Sequence, residues 1–181
     1  IFDNFDSELV EKLLKFHNEN GGLSRYVKIR YFYEELLNKD ITESEIDLIA
    51  SEFSLIMKKE LINKKYLIKE TIDFCDKNYK KYKLHIVSGS DENELKYLCK
   101  ELEVDKYFIS IHGSPTHKND LVKNLLKIYN YDIEETILIG DSINDYDASK
   151  INGINFYGYN NPTLEKISHY YLENYNYFKD K

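Results

Sequence analysis

Cysteine is scarce in this chain: Cys75 and Cys99 are the only two, and they do not form a CxxC pair. Two thiols are too few for a disulfide scaffold or a cysteine-rich zinc site, so reduced thiols and a cytoplasmic location are expected. No apolar run reaches the length that spans a bilayer, and no signal-peptide pattern opens the sequence. Basic residues are outnumbered, 25 Lys and Arg against 32 Asp and Glu, for a formal net charge of −7. That balance excludes a general binder of nucleic acid or of an anionic membrane, and an anionic substrate would need a local basic pocket. The five histidines are scattered, without HxH or HExxH spacing, which argues against a histidine-built zinc centre. Internal repeats and low-complexity linkers are also missing.

What is there suits a globular protein with one core and a small insert: 181 residues, 42% hydrophobic and 31% charged. Residues 1 to about 80 read as helical. Phe2, Phe5, Leu9, Leu13, Leu14 and Phe16 recur near helical spacing, and Gly21-Gly22 marks a stop. Ser24 is placed to cap a helix from Arg25 to about Leu37. Thr42, with Glu45 three residues on, opens another that runs to about Leu61. A fourth is expected from about Tyr66 to Tyr79. The pattern then changes to short apolar runs, Leu84–Val87, Tyr107–Ile111, Thr136–Ile139, Ile154–Tyr157 and Tyr170–Leu172, most of them separated by helices. Alternation of this kind predicts βαβ units and a parallel sheet. The expected fold is α/β and Rossmann-like with a small α-helical cap, divided as residues 1–65 and 66–181. The tyrosine-rich stretch from Tyr157 to Phe178 reads as packing or an oligomer contact, because the basic residues of a nucleic-acid groove are missing.

Chemistry concentrates at the ends of the predicted strands. After Thr136–Ile139 comes Gly140-Asp141-Ser142-Ile143-Asn144-Asp145, in which two carboxylates four residues apart approach in a tight turn. Such a pair suits Mg²⁺, and strand carboxyl ends are where α/β sheets bind ligands; acids capping the next helix are the plainer alternative. Ser88-Gly89-Ser90 follows Val87 and offers a hydroxyl and backbone N–H groups to an anionic oxygen, although Ser90 or Asp91, with Glu94, also reads as a helix cap. Lys118 sits in a first helical turn, against the helix dipole, where a functional cation or a solvated surface lysine would fit. Arg25, Lys28 and Arg30 offer the local basic patch, with Lys28 and Arg30 read as an ordinary exposed face.

In order, Val87-Ser88-Gly89, Lys118 and Gly140 to Asp145 resemble the second, third and fourth motifs of haloacid dehalogenase (HAD)-like phosphatases. The resemblance covers residues 84 to 160. Gly21-Gly22-Leu23-Ser24-Arg25 is similar to the cap loop of the phosphoglycolate phosphatase and β-phosphoglucomutase-like branch. It implies that Ser88 and Gly89 hold the phosphoryl oxygens and that Lys118 neutralises phosphate and nucleophile. It further implies that Asp141 binds Mg²⁺, that Asp145 binds it or holds its water, and that Arg25 contacts the substrate from the cap. The implied activity is a Mg²⁺-dependent phosphatase acting on a small phosphorylated metabolite, with a sugar phosphate favoured, through an aspartyl phosphate. A phosphomutase, or an inactive relative that binds a phosphorylated ligand, is the alternative.

The family's first motif, DxD after a hydrophobic strand, has no counterpart here. Ile1-Phe2-Asp3-Asn4-Phe5-Asp6 spaces its acids three apart, follows no strand and fits a helical stripe, so Asp3 is rejected as nucleophile. In the family that segment is also the central strand. The expectation is therefore a natural protein continuing upstream by roughly 25–40 residues, and no phosphatase activity from residues 1–181 alone.

Overall fold

The computed structural model describes residues 1–2 and 4–178; Asp3 lies outside the described residues. Helix α1 spans Ser7–Glu19, with the Asp6 carboxylate accepting from the Glu8 N–H as N-cap. Phe2 and Phe5 therefore precede the helix instead of extending its stripe. Both pack on Phe32, with ring centroids 4.6 and 5.0 Å away. Helix α2, Arg25–Tyr31, is capped by Ser24 and passes into a single π-turn over Phe32–Leu36 where a continuous helix was expected. Helix α3, Glu43–Leu61, starts with the expected capping box, Thr42 and Glu45 each satisfying the other's backbone N–H. Ile29 of α2, Ile46 and Ala50 of α3, and Ile41 before α3, form the cap's own apolar cluster.

Helix α4, Lys69–Asn78, starts three residues later than expected and packs Cys75 against Cys99, Val104 and Tyr107. Both cysteines are free and buried, and burial pushes the Cys75 thiol up to about 11. Five parallel strands alternate with helices: β1 His85–Asp91, α5 Glu92–Glu101, β2 Ser110–Ser114, α6 Lys118–Tyr129, β3 Ile137–Gly140, α7 Ile143–Ile151, β4 Asn155–Tyr159 and β5 Tyr170–Leu172. Two strands differ from expectation by three residues or more, and β3 and β4 by one or two. β1 extends through Ser88-Gly89-Ser90, and β2 starts three residues late because Asp105–Tyr107 forms a 3₁₀ turn that buries the Tyr107 ring.

The strands form two sheets, β1–β2 and β3–β4–β5. Among the described residues, β1 pairs only with β2 and β3 only with β4, so each keeps one unpaired edge. The two sheets still share a core: Val87 of β1 packs on the cluster of Val122, Leu138, Ala148 and Phe156. The tyrosine-rich stretch covers the far side, where Tyr157, Tyr170, Tyr177 and Phe178 pack ring on ring. Among the described residues no helix is long and apolar enough to cross a membrane.

Candidate active site

The carboxyl ends of β1 and β3 and the first turns of α6 and α7 face one cavity of about 910 Å³. This size suits a small ligand. Ser88, Gly89, Lys118, Asp141 and Asp145 all line it, and Gly22, Arg25 and Lys28 line it from the cap. Four stretches far apart in sequence thus meet on one surface.

Lys118 is the first residue of α6, and its ammonium pairs with the Asp145 carboxylate on α7. Both residues are buried, at 9% and 6% exposure, so the pair is largely withdrawn from water. The second Asp145 oxygen accepts from the Ser142 N–H at 3.1 Å and from its hydroxyl at 2.7 Å, while Ser142 Oγ caps the Asp145 N–H. The capping reading of this acid therefore holds, and leaves room for a second contact: one oxygen closes the helix, the other meets Lys118. Gly140 makes this possible, since a Cβ there would lie 2.4 Å from the Asp145 Cγ. Asp141 is exposed, and its carbonyl accepts from Asn161 Nδ2 at 2.7 Å.

The Ser88 hydroxyl accepts from the Ser90 N–H at 3.1 Å, which shapes the end of β1. A Cβ at Gly89 would stand 2.4 Å from the Gly22 carbonyl oxygen, and one at Gly22 would stand 2.6 Å from Ser142 Oγ. Two missing side chains let the cap loop lie directly over both strand ends.

Arg25 lines the cavity, but its guanidinium is engaged elsewhere. It makes a bidentate pair with Glu94 at 2.7 and 2.8 Å, donates to Ser54 Oγ at 2.7 Å, and lies over the Phe53 ring. Glu94 was legible only as a capping-box partner of Asp91. Asp91 does cap α5, accepting from the Glu94 N–H at 2.9 Å, yet the Glu94 side chain turns to the cap. Beside it Tyr26 donates to Asp91 at 2.7 Å, and burial with that bond pushes the phenol up to about 12. The side-chain contacts of Glu94 with Arg25 and of Tyr26 with Asp91 carried no sequence signal, because each joins partners at least 65 residues apart.

Oxygen donors for a divalent cation are few. Among the described residues no group of three or more His, Cys, Asp or Glu is arranged to hold a metal. The Asp141 carboxylate has no partner among them and fits as a hard oxygen ligand. Asp145, already bound to Lys118 and Ser142, fits better as the holder of a metal-bound water.

Residues 8–159 match the family model described as haloacid dehalogenase-like hydrolase. A β-phosphoglucomutase from Clostridium difficile has the same fold, with TM-score 0.74 and 18% identity over 94% of this chain and 82% of that one. YfnB from Bacillus subtilis, in a structure bound to magnesium, gives TM-score 0.69 and 15% identity over 97% and 82% of the two chains. A predicted phosphoglycolate phosphatase from Haemophilus somnus gives 0.62 and 16% over 93% and 86%. No curated protein matches. With 152 consecutive residues under one family model and the strand ends converging as described, the chain belongs to the haloacid dehalogenase-like hydrolase family.

Proposed function

We propose that this site belongs to a phosphatase of small phosphorylated metabolites, a sugar phosphate being the favoured class, in the cytoplasm. The observation that carries the reading is the buried Lys118–Asp145 pair beside the Ser88-Gly89 turn in one ligand-sized cavity. A desolvated ammonium and the N–H groups at the end of β1 together suit the oxygens of a phosphoryl group. Lys118 would neutralise those oxygens, with Asp145 fixing its position, and Ser88 and Gly89 would orient them. Asp141 would hold Mg²⁺ directly and Asp145 through a water; when bound, the ion would offset phosphoryl charge. Arg25 would act on the substrate only by leaving Glu94, so its first role is to seat the cap.

The family's chemistry transfers the phosphoryl group to an aspartate before water releases it. Asp145 is committed to Lys118 and Ser142, and Asp141 is assigned to the metal, so neither supplies that nucleophile. Among the described residues no strand pairs with the free edges of β1 and β3 to carry such a carboxylate, and residues 1–181 alone should not turn over substrate. The same shortfall favours a second reading, a phospho-ligand-binding relative. The test is orthovanadate binding to residues 1–181 with Mg²⁺, together with a phosphatase assay. Binding that Lys118→Ala abolishes supports the site; Mg²⁺-dependent turnover by this chain would sink the inactivity, and vanadate binding indifferent to Lys118 would sink the phosphate reading.

A further inference from the structure

Helix α3 is apolar on two opposite faces. On the inner face, Ile46 and Ala50 belong to the cap's buried cluster, and Ile49 and Phe53 line the cavity. The outer face carries Leu48 and Leu55, 70% and 66% exposed, with Ile56 and the C-cap residue Ile62 exposed beside them. Leu48, Leu55 and Ile62 recur every seven residues, close to two full turns, so they form one line along the helix. A lone exposed leucine is ordinary, but a line of apolar side chains facing away from the core is not. A helix apolar on one face has its cover in the fold; one apolar on two is suited to be covered twice.

The charges along this helix are segregated. Glu43, Glu45, Asp47 and Glu52 lie in its first half, and no basic residue falls between positions 43 and 56. Lys58, Lys59, Lys64 and Lys65 follow, with Glu60 the one acid among them. This order suits the helix dipole, and it also makes the outer face complementary to itself: a copy running the other way sets acids against bases. Several of these charges are engaged within the chain, Glu43 by Arg30, Glu45 by the capping box and Lys64 by Glu103. Glu52 and Lys59, which flank Leu55, are exposed and meet no opposite charge among the described residues.

We propose that two copies of this chain pair through the outer faces of α3, antiparallel about a two-fold axis at Leu55. Leu48 of one copy then meets Ile62 of the other, and Glu52 meets Lys59. A self-complementary patch is what a two-fold contact requires, whereas parallel pairing would set Glu52 on Glu52 and Lys59 on Lys59. The cavity lies behind the opposite face of α3, so pairing leaves it accessible. The inference does not depend on the phosphatase reading.

The test is sedimentation velocity on residues 1–181 at low ionic strength over a concentration series. The native chain should form a dimer whose population rises with concentration. Leu55→Lys places two ammonium groups on the axis and should give a monomer throughout, with unchanged circular dichroism because the replaced side chain is exposed. Glu52→Lys and Lys59→Glu should each weaken association by about tenfold, since the axis counts each reversal twice. The double variant Glu52→Lys/Lys59→Glu should recover the native affinity. A chain that stays monomeric up to its solubility limit overturns the inference, as does a dimer indifferent to Leu55→Lys, which would lie on another face. Single reversals without effect, or a double variant that fails to recover, overturn the antiparallel arrangement.

Discussion

Lys118–Asp145 and Arg25–Glu94 are both buried ion pairs, but they differ in what each leaves behind when broken. Asp145 keeps two hydrogen bonds from Ser142 after Lys118 is gone, and its other oxygen borders a cavity that water can enter. Arg25 without Glu94 keeps one serine hydroxyl and an aromatic face, inside the contact between cap and core. The first pair lines the cavity, where on the proposed reading its charge would meet a ligand; the second joins α2 to α5. Burial alone therefore does not mark a candidate catalytic pair. The hydrogen-bonding capacity left on each partner separates the two.

Glu94→Ala should produce the largest effect, a loss of about 3–5 kcal/mol in urea unfolding, because an uncompensated guanidinium stays in the interface. Lys118→Ala should cost less stability, about 1–3 kcal/mol, while abolishing vanadate binding. Equal losses from the two would erase the distinction drawn between the pairs. Gly89→Ala tests the closeness of cap and core directly: the new methyl meets the Gly22 carbonyl, and the loop must move. A destabilisation of about 1–3 kcal/mol is expected, with faster proteolysis at the Gly21-Gly22 loop; an unchanged melting temperature and cleavage rate would mean that the loop does not rest on β1.

The smallest effect concerns His17, whose pKa lies below 6.5 in the folded chain. The sign follows from proton counting. The unfolded chain binds the His17 proton first, so stability declines as pH falls below about 6.5 and levels off once the folded ring also protonates. An NMR titration of Lys28→Ala should show His17 shifted upward yet still below 6.5, since burial is the larger cause and remains. No movement of His17 would mean that the Lys28 charge does not reach it.

Much of the architecture was readable from local rules. The Thr42–Glu45 box and the change from helical stripes to short apolar runs act over a few residues, and both reappear in the fold. Helix ends and strand limits moved where packing outweighed pattern. Phe2 and Phe5 follow Phe32 into the cap cluster, and Tyr107 leaves the strand to fill the core beside Cys99. The candidate residues Ser88, Gly89, Lys118, Asp141 and Asp145 were picked out as types in an order, and the structure places all five on one cavity wall together with Arg25.

By itself the sequence determined which segments would be helix or strand, and it singled out a few candidate residues at strand ends. Periodicity, capping and turn chemistry are interactions within about four residues, so a linear reading contains them. Tertiary structure alone decided which charges are matched. Arg25 and Glu94 lie 69 residues apart and Lys118 and Asp145 lie 27 apart, while among the described residues Lys28 meets no carboxylate. Neutralisation is a property of through-space neighbours, and the order of residues along the chain does not encode it.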